Sequence, residues 1–312
     1  MIEVLQPGVQ TSVQDLGRPG WRHLGVSAGG AVDGDALALA NALLGNAADA
    51  AALELWQGPV RLRLHGQGWL ALTGADFGAT LAGRPLRPGW RAPWRQDEVL
   101  ELAPRPAQGA CAYLAVAGGL TVPRRLGGWG TDLAGAWGGW HGRALRAGDL
   151  LPHGVAARAL AGRRGVTPPE WRDTLRALPG PEHDSHFNAD AQAAFWAATW
   201  RVSPQSNRMA ARLQGPVLAR QRPDDLPSHG VLPGVVQVPG GGQPIALRAD
   251  AQTTGGYPRI AVVIAADLPA LAQRPPGAPL RFERVDAATA RQAWVEHEAV
   301  QRGLRQALAW WG

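Results

Sequence analysis

Residues 68–90 read GWLALTGADFGATLAGRPLRPGW, and this stretch decides the fold class. It reads as short apolar strands joined by glycine turns. The style continues on both sides. VRLRLHG (60–66) alternates Val60, Leu62 and Leu64, the period of a half-buried strand. EVLELAP and ACAYLAVAGG follow, and WRVSP, GVVQVPG, PIALRA and RIAVVIAADL repeat the pattern in the second half. Short strands with Gly/Pro turns point to barrels or sandwiches. The expectation is a mainly β chain with a few helices, of the α+β class.

Three helices are expected. One runs from Val32-Asp33 to Leu44, with Asp33 as its cap, Leu37, Ala40 and Leu44 on one face, and Gly45-Asn46 as its stop. A second follows Asn188 over ADAQAAFWAATW. A third follows Asp286 and runs through AATARQAWVEHEAVQRGLRQALAWW to Trp311, a charged terminal helix suited to packing across a barrel.

At 312 residues the chain has room for one large domain or two ordinary ones. The 41 glycines and 26 prolines are spread along it, as many tight turns require. The stretch HGVAARALAGRRGVTPPEW has no clear period and marks a boundary. It separates a β-rich N-terminal domain, residues 1–165, from a barrel-like C-terminal domain with the terminal helix, residues 166–312, in an arrangement that allows the two to interleave. The Gly/Trp-rich segment 118–143 reads as a long loop, uncommon unless it has a task.

Net charge is +6, but every basic residue is arginine, scattered among Asp and Glu with no basic stripe, so no nucleic-acid partner is expected. The absence of lysine excludes a P-loop, whose Lys reaches the phosphates. It excludes a Schiff base on a lysine amine and the attachment of biotin to this chain. The single Cys111 excludes an internal disulfide and reads as a buried, inert thiol. The N-terminus lacks the charged and apolar regions of a signal peptide. No apolar run reaches the roughly 18 residues of a membrane span. A cytoplasmic protein with no membrane partner is expected.

The eight histidines form no metal pattern, and HDSH (183–186) reads as a solvated turn. Asp15, His23 and a serine lack the G-x-S-x-G elbow of a serine hydrolase. Three polar, sharply turned segments are more informative. QPGVQTSVQDLGRPGW (6–21) carries Gln10, Thr11, Gln14, Asp15 and Arg18. SPQSNRMAARLQG (203–215) places Ser206, Asn207 and Arg208 in a row. DAQTTGGYPR (250–259) packs Thr253, Thr254, Gly255, Gly256 and Tyr257 into one turn. Glycine lets backbone approach a ligand, and Asn, Gln and Thr supply paired donors and acceptors suited to an amide or carboxylate. Ordinary turn chemistry uses the same residues, so residue type leaves both readings level.

Together, QPG..TSVQDLGRPG, GAVD..ALALANALLGN, ALE...GP, SPQSNRMAARLQG and VVQVP..GQPIALRADAQTTGGYPRIAVVIAADLPALAQ resemble the family of the 5-oxoprolinase C subunit. That family includes the so-called allophanate hydrolase subunit 2 and the Kip-type kinase-inhibitor antagonist, and it is similar to half of the carboxyltransferase domain of urea carboxylase. The resemblance runs from about residue 5 to 285. It implies cyclophilin-like β-barrel units and a partner, the B subunit of 5-oxoprolinase. The A subunit is the third member of an enzyme that opens 5-oxoproline to glutamate with ATP. ATP is thus the expected cofactor of the complex, and a small amide-bearing molecule its substrate. The chain alone is expected to be inactive. The matched blocks mark Asp250, Arg208 and Tyr257 as catalytic candidates. Asn207, Thr253, Thr254, Gly255, Gly256, Gln237, Asp15 and Arg18 are substrate-binding candidates, and Arg259 is a further candidate cation. No metal ligands are implied. Two other readings stand beside this one: the carboxyltransferase half of a biotin-dependent urea or amide carboxylase, and a non-catalytic regulatory partner of a Kip-type inhibitor. Two departures are visible. Where the family shows SNRMG, this chain has Ala210. Where family members show GSRST, this chain has Gly127-Gly128-Trp129-Gly130-Thr131.

Overall fold

The computed structural model describes residues 1–106, 108–168, 170–222 and 225–310. The chain divides into two compact units. The first holds Met1–Pro19, Gly29–Glu170 and the residues from Gln301 onward; the second holds Gly20–Ala28 and Trp171–Val300. Pro169 of the expected boundary segment and Trp311 of the expected terminal helix lie outside the described residues.

The first unit contains two six-stranded sheets. One has the order Leu150–Leu151, Ile2–Pro7, Val60–Leu64, Glu98–Leu102, Thr80–Leu81, Arg84–Pro85. The other has the order Arg164–Gly165, Trp90–Trp94, Gly68–Asp76, Gln108–Val116, Ala52–Trp56, Gln10–Gln14. The alternation read in VRLRLHG holds: Val60, Leu62 and Leu64 are buried, while Arg61 on the other face pairs with Glu101 at 2.9 Å. Val4, Leu62 and Leu100 of one sheet and Leu53, Leu72 and Leu114 of the other join a single core cluster. Each such buried side chain contributes about 1.5–3 kcal/mol of transfer free energy. Cys111 is fully buried, as expected.

The helix Gly34–Leu44 packs on the second sheet. Asp33 caps it, accepting the Ala36 N–H at 3.0 Å, and Gly45 ends it in the left-handed region at φ 70°. Leu39, Asn41 and Leu43 are buried along with the expected Leu37, Ala40 and Leu44, so more than one face is covered. Gln10–Gln14 is an edge strand, and Thr131 in the Gly/Trp segment and Leu145 just after it cover part of its open side. Leu145 N–H donates to the Thr11 carbonyl at 2.7 Å and Thr131 Oγ1 to the Val13 carbonyl at 2.9 Å. An edge with its carbonyls occupied cannot recruit another strand there. The segment expected as a loop thus holds a small ribbon, Thr131–Asp132 paired with Trp137–Gly138.

The second unit is built on a closed seven-stranded barrel. Its order is Thr174–Pro179, Arg259–Val263, Val235–Gln237, Ile245–Leu247, Ala210–Gln214, Trp200–Val202, Pro279–Arg284, and the last strand returns to pair with the first. Leu175, Trp200, Ala211, Val236 and Phe282 fill its core. The helix after Asn188 covers only Ala189–Ala197. Trp200, expected in that helix, opens a barrel strand instead; its indole is fully buried and donates to the Phe195 carbonyl at 3.1 Å. The barrel core outweighs the local helical preference of the Ala-rich stretch. HDSH is a short helix and not a solvated turn, with His183 and His186 both buried. The reason is a contact the sequence does not show: His183 Nε2 accepts the Trp196 Nε1–H at 3.1 Å. The terminal helix spans Ala287–Ala309, and Asp286 accepts the Thr289 N–H at 2.8 Å at its start. Among the described residues no helix is long and apolar enough to cross a membrane.

Candidate functional site

Most of the residues singled out in the sequence fall in the second unit. Arg208 and Asp250 meet there. Guanidinium Nε donates to Oδ2 at 2.7 Å and Nη2 to Oδ1 at 2.9 Å, a bidentate pair. The backbone adds to it, with Asp250 N–H donating to the Arg208 carbonyl at 3.1 Å. Arg208 is buried and Asp250 is mostly so. Asn207 is exposed beside them, and its Oδ1 accepts the N–H groups of Met209 and Ala210 at 2.9 and 3.2 Å. That turn aims the Arg208 side chain inward.

The DAQTTGGYPR turn is fastened by its backbone and leaves side chains outside. Thr254–Gly255 pairs with His229–Gly230. The Thr253 carbonyl accepts the Val231 N–H at 3.1 Å, and the Gly256 carbonyl accepts the Leu226 N–H at 2.7 Å. Gly255 lies against the buried Gln237 amide, where a Cβ would sit 2.9 Å from Nε2. Gln237 Nε2 in turn donates to the Tyr257 carbonyl at 3.3 Å. The Tyr257 ring is 39% exposed and faces Arg220 at 6.0 Å. Thr254 is exposed too. The turn therefore offers a hydroxyl and a phenol on a rigid base.

Arg259 closes the turn and makes a second bidentate pair, with Glu182, at 2.6 and 2.5 Å. Burial pushes the Glu182 carboxyl up, but the Arg259 guanidinium and N–H more than offset this and hold it below the usual carboxylate range. Arg259 and Gly230 also border an apolar cavity of about 540 Å³, with Leu178, Leu232, Val235 and Leu268 on its walls. The sequence reading missed Glu182. It lies 77 residues from Arg259 and carries no local signal.

Asp15 and Arg18 belong to the first unit. Both Asp15 carboxylate oxygens accept backbone donors, Oδ1 from Gly17 at 2.8 Å and Oδ2 from Trp129 at 2.6 Å. Asp15 thereby fixes the Gly127–Thr131 segment, so the departure from GSRST sits directly on this carboxylate. Arg18 is buried. Its Nη2 donates to the Gly130 carbonyl, and its guanidinium lies 4.3 Å from the Trp137 ring centre. Trp137 was another residue the sequence did not single out. Among the described residues no group of three or more His, Cys, Asp or Glu could hold a metal ion.

Comparison with known proteins bears on this arrangement. The family model described as "Carboxyltransferase domain, subdomain A and B" matches residues 24–284. A protein of Escherichia coli (strain K12), named as the C subunit of 5-oxoprolinase, is 47% identical over 310 residues, covering 99% of this chain and 98% of the relative. A protein of the same name from Haemophilus influenzae is 41% identical, covering 91% of each chain. Among solved structures, the Kluyveromyces lactis urea carboxylase superposes with a TM-score of 0.88 at 27% identity, over 97% of this chain and 29% of that one.

Proposed function

The chain belongs to the family of the carboxyltransferase domain, subdomains A and B, and from that premise we propose that it is the C subunit of a 5-oxoprolinase. In this reading it works with the A and B subunits, in the cytoplasm, to open 5-oxo-L-proline to L-glutamate as ATP is hydrolysed. The observation that carries the reading is end-to-end similarity, 47% identity across 99% of the chain, to a protein of that name.

The chemical problem is a lactam. Its N–C=O unit is stabilised by resonance, and attack on the carbon requires charge to accumulate on the oxygen. Donors fixed on that oxygen, and cations near it once it is activated by ATP, lower the barrier. In the proposed site Asp250 accepts or relays a proton. Arg208, buried beneath it, positions that carboxylate. Tyr257 and Thr254 are exposed and orient the ligand, while Thr253, Gly255, Gly256 and Gln237 hold the turn at its working distance. Asn207 sets the approach to Arg208. Asp15 and Arg18 serve substrate binding within the first unit. ATP is the cofactor of the assembled complex, and biotin is not attached to this lysine-free chain.

A second reading, the carboxyltransferase half of a biotin-dependent system, is favoured by one observation. The urea carboxylase structure matches 97% of this chain at a TM-score of 0.88. One assay separates the two. The chain is purified with candidate A and B subunits, and ADP and glutamate are measured with and without 5-oxoproline. Oxoproline-dependent release of both, lost when this chain is omitted, is the expected result. A stable complex with no turnover would sink the oxoprolinase reading and direct the search to carboxyl transfer.

A further inference from the structure

The apolar cavity of about 540 Å³ lies wholly within the second unit, and none of the residues assigned above to the lactam lines it. Leu178, Val235 and Val262 form its barrel wall, each from a different strand. Leu232 faces them from the connection ahead of Val235, and Ala290 and Arg291 reach it from the start of the terminal helix. Gly234 lets the Leu232 segment close on the barrel. Its φ is +92°, and a Cβ there would lie 2.9 Å from the Val263 carbonyl oxygen and 3.0 Å from Leu268 Cδ2. Leu232 is nonetheless 59% exposed. Apolar surface left to water favours any apolar body that covers it.

The charge of the lining is one-sided. Arg259 and Arg291 are its charged residues, and no acid borders the cavity with them. Glu182 takes Arg259 through Nε and Nη2, which leaves Nη1 without a hydrogen-bond partner among the described residues. Arg291 is exposed and makes no ion pair among the described residues. Glu182 offsets the charge of Arg259, so Arg259 offers a directed donor and Arg291 the net positive charge.

Size narrows the occupant further. At ~30 Å³ for each non-hydrogen atom, the share one water takes in the liquid, 540 Å³ holds on the order of 18 such atoms. That is the scale of small-molecule sites, which pair apolar walls with a few polar groups. An ammonium is repelled by Arg291, and a neutral apolar molecule gives neither arginine an acceptor. A carboxylate on an apolar body suits both parts of the lining. We propose that this cavity is a binding site for a small amphipathic carboxylate, its apolar body along Leu178, Leu232 and Val235 and its acid group drawn to the arginines of the lining. The site is separate from the oxoprolinase reading and does not depend on it. 5-Oxoproline is small and polar along most of its edge, and it would leave the apolar wall uncovered.

The test is calorimetry on the full chain with decanoate and 1-decanol, alike in their apolar bodies and different in charge. Decanoate should bind about tenfold more tightly, the worth of one charge-assisted hydrogen bond. Arg291→Gln should remove most of that preference and leave decanol as it was. Ala290→Phe, which puts a ring into the cavity, should weaken both. Equal affinities in the unaltered chain, or a preference untouched by Arg291→Gln, would overturn the proposal. Displacement of decanoate by 5-oxoproline would overturn it by giving the cavity to the lactam. Displacement by an added candidate B subunit would do the same by giving it to a protein segment. If Ala290→Phe fails to fold, a crystal of the unaltered chain soaked in decanoate takes its place. Decanoate along Leu178 and Leu232 with its acid toward Arg291 upholds the site, and an empty cavity removes it.

Discussion

Arg208 and Asp250 stand 42 residues apart in the chain and close on each other through two parallel bonds of 2.7 and 2.9 Å. Arg208 is 3% exposed and Asp250 12%, so the pair is a buried one. Removing one member of a buried pair strands the other's charge and costs about 3–5 kcal/mol. Asp250→Ala should therefore lower stability by that order in urea titrations as well as stop turnover of the complex. The double variant Arg208→Met/Asp250→Leu separates the two effects. It should regain most of the stability, because apolar residues replace buried ion pairs at little cost, and stay inactive. A double variant that turns over at the native rate would remove both residues from the proposed site.

Asp149 sets an acid limit on the first unit. Hydrogen bonds from Arg143, at 2.8 and 2.7 Å, hold its carboxyl at about 2, down from 3.8. A depressed folded value gives stability that is present above pH 4 and lost as pH falls through about 2. The shift corresponds to about 2 kcal/mol. Asp149→Asn should cost roughly that amount at pH 7, and the difference from the unaltered protein should vanish near pH 2. Denaturant midpoints measured across this range check it, and a constant difference would contradict the assignment.

Glu54 is fully buried and serves as a hub. It accepts the Val32 N–H at 2.9 Å, the Tyr113 hydroxyl at 2.8 Å and the Trp56 indole N–H at 2.7 Å. Tyr113 oxygen in turn accepts the Asp33 N–H at 2.9 Å, at the start of the helix Gly34–Leu44. Burial pushes the Tyr113 phenol well above its ordinary value, so it remains a donor at any working pH. Tyr113→Phe should cost about 1–3 kcal/mol by unpairing the Asp33 N–H and removing a donor from Glu54. Thermal unfolding that does not shift would show that the hub carries no net stability.

Gly30 sits at φ +85°, and a Cβ there would lie 2.5 Å from the Gly17 nitrogen and 2.7 Å from the Leu16 carbonyl carbon. Gly30→Ala must both strain the backbone and push the chain just ahead of Arg18. The expected outcome is a loss of about 1–3 kcal/mol, read as a lower midpoint of thermal unfolding. An unshifted midpoint would show that the chain at Leu16-Gly17 gives way at little cost.

What the sequence revealed was local. The Asp33 cap, the Gly45 stop and the alternation of Val60, Leu62 and Leu64 all depend on neighbours within a few positions, and all hold in the structure. The mainly β class follows from the same short-range signals, which left barrel and sandwich open; the barrel was implied by the family resemblance, and its closure joins Thr174–Pro179 to the distant Pro279–Arg284. Trp200 did not, because the depth of the barrel core outweighs the Ala-rich stretch before it. The burial of His183 was equally hidden, since it depends on Trp196. At the candidate site the polar turns were visible, but their pairings were not. Glu182 finds Arg259 across 77 residues, and Arg18 finds Gly130 across 112. Pairings of that kind are fixed by strand order, and residue type alone does not encode them.

The nine residues Gly20–Ala28 are counted with the second unit although the chain on both sides belongs to the first. Arg22 donates to the Val231 carbonyl, made 209 residues later, and Ser27 Oγ reaches the Ala249 carbonyl. During synthesis at roughly 5–20 residues per second this early stretch waits on the order of 10–40 s for its partners. A ribosome that stalls or a message that ends before codon 231 leaves it unmatched, whatever the first sheets have already built. Quality control of this chain thus extends to its last third, and a fragment cut at the apparent boundary near residue 170 would carry an unfinished piece of the other unit.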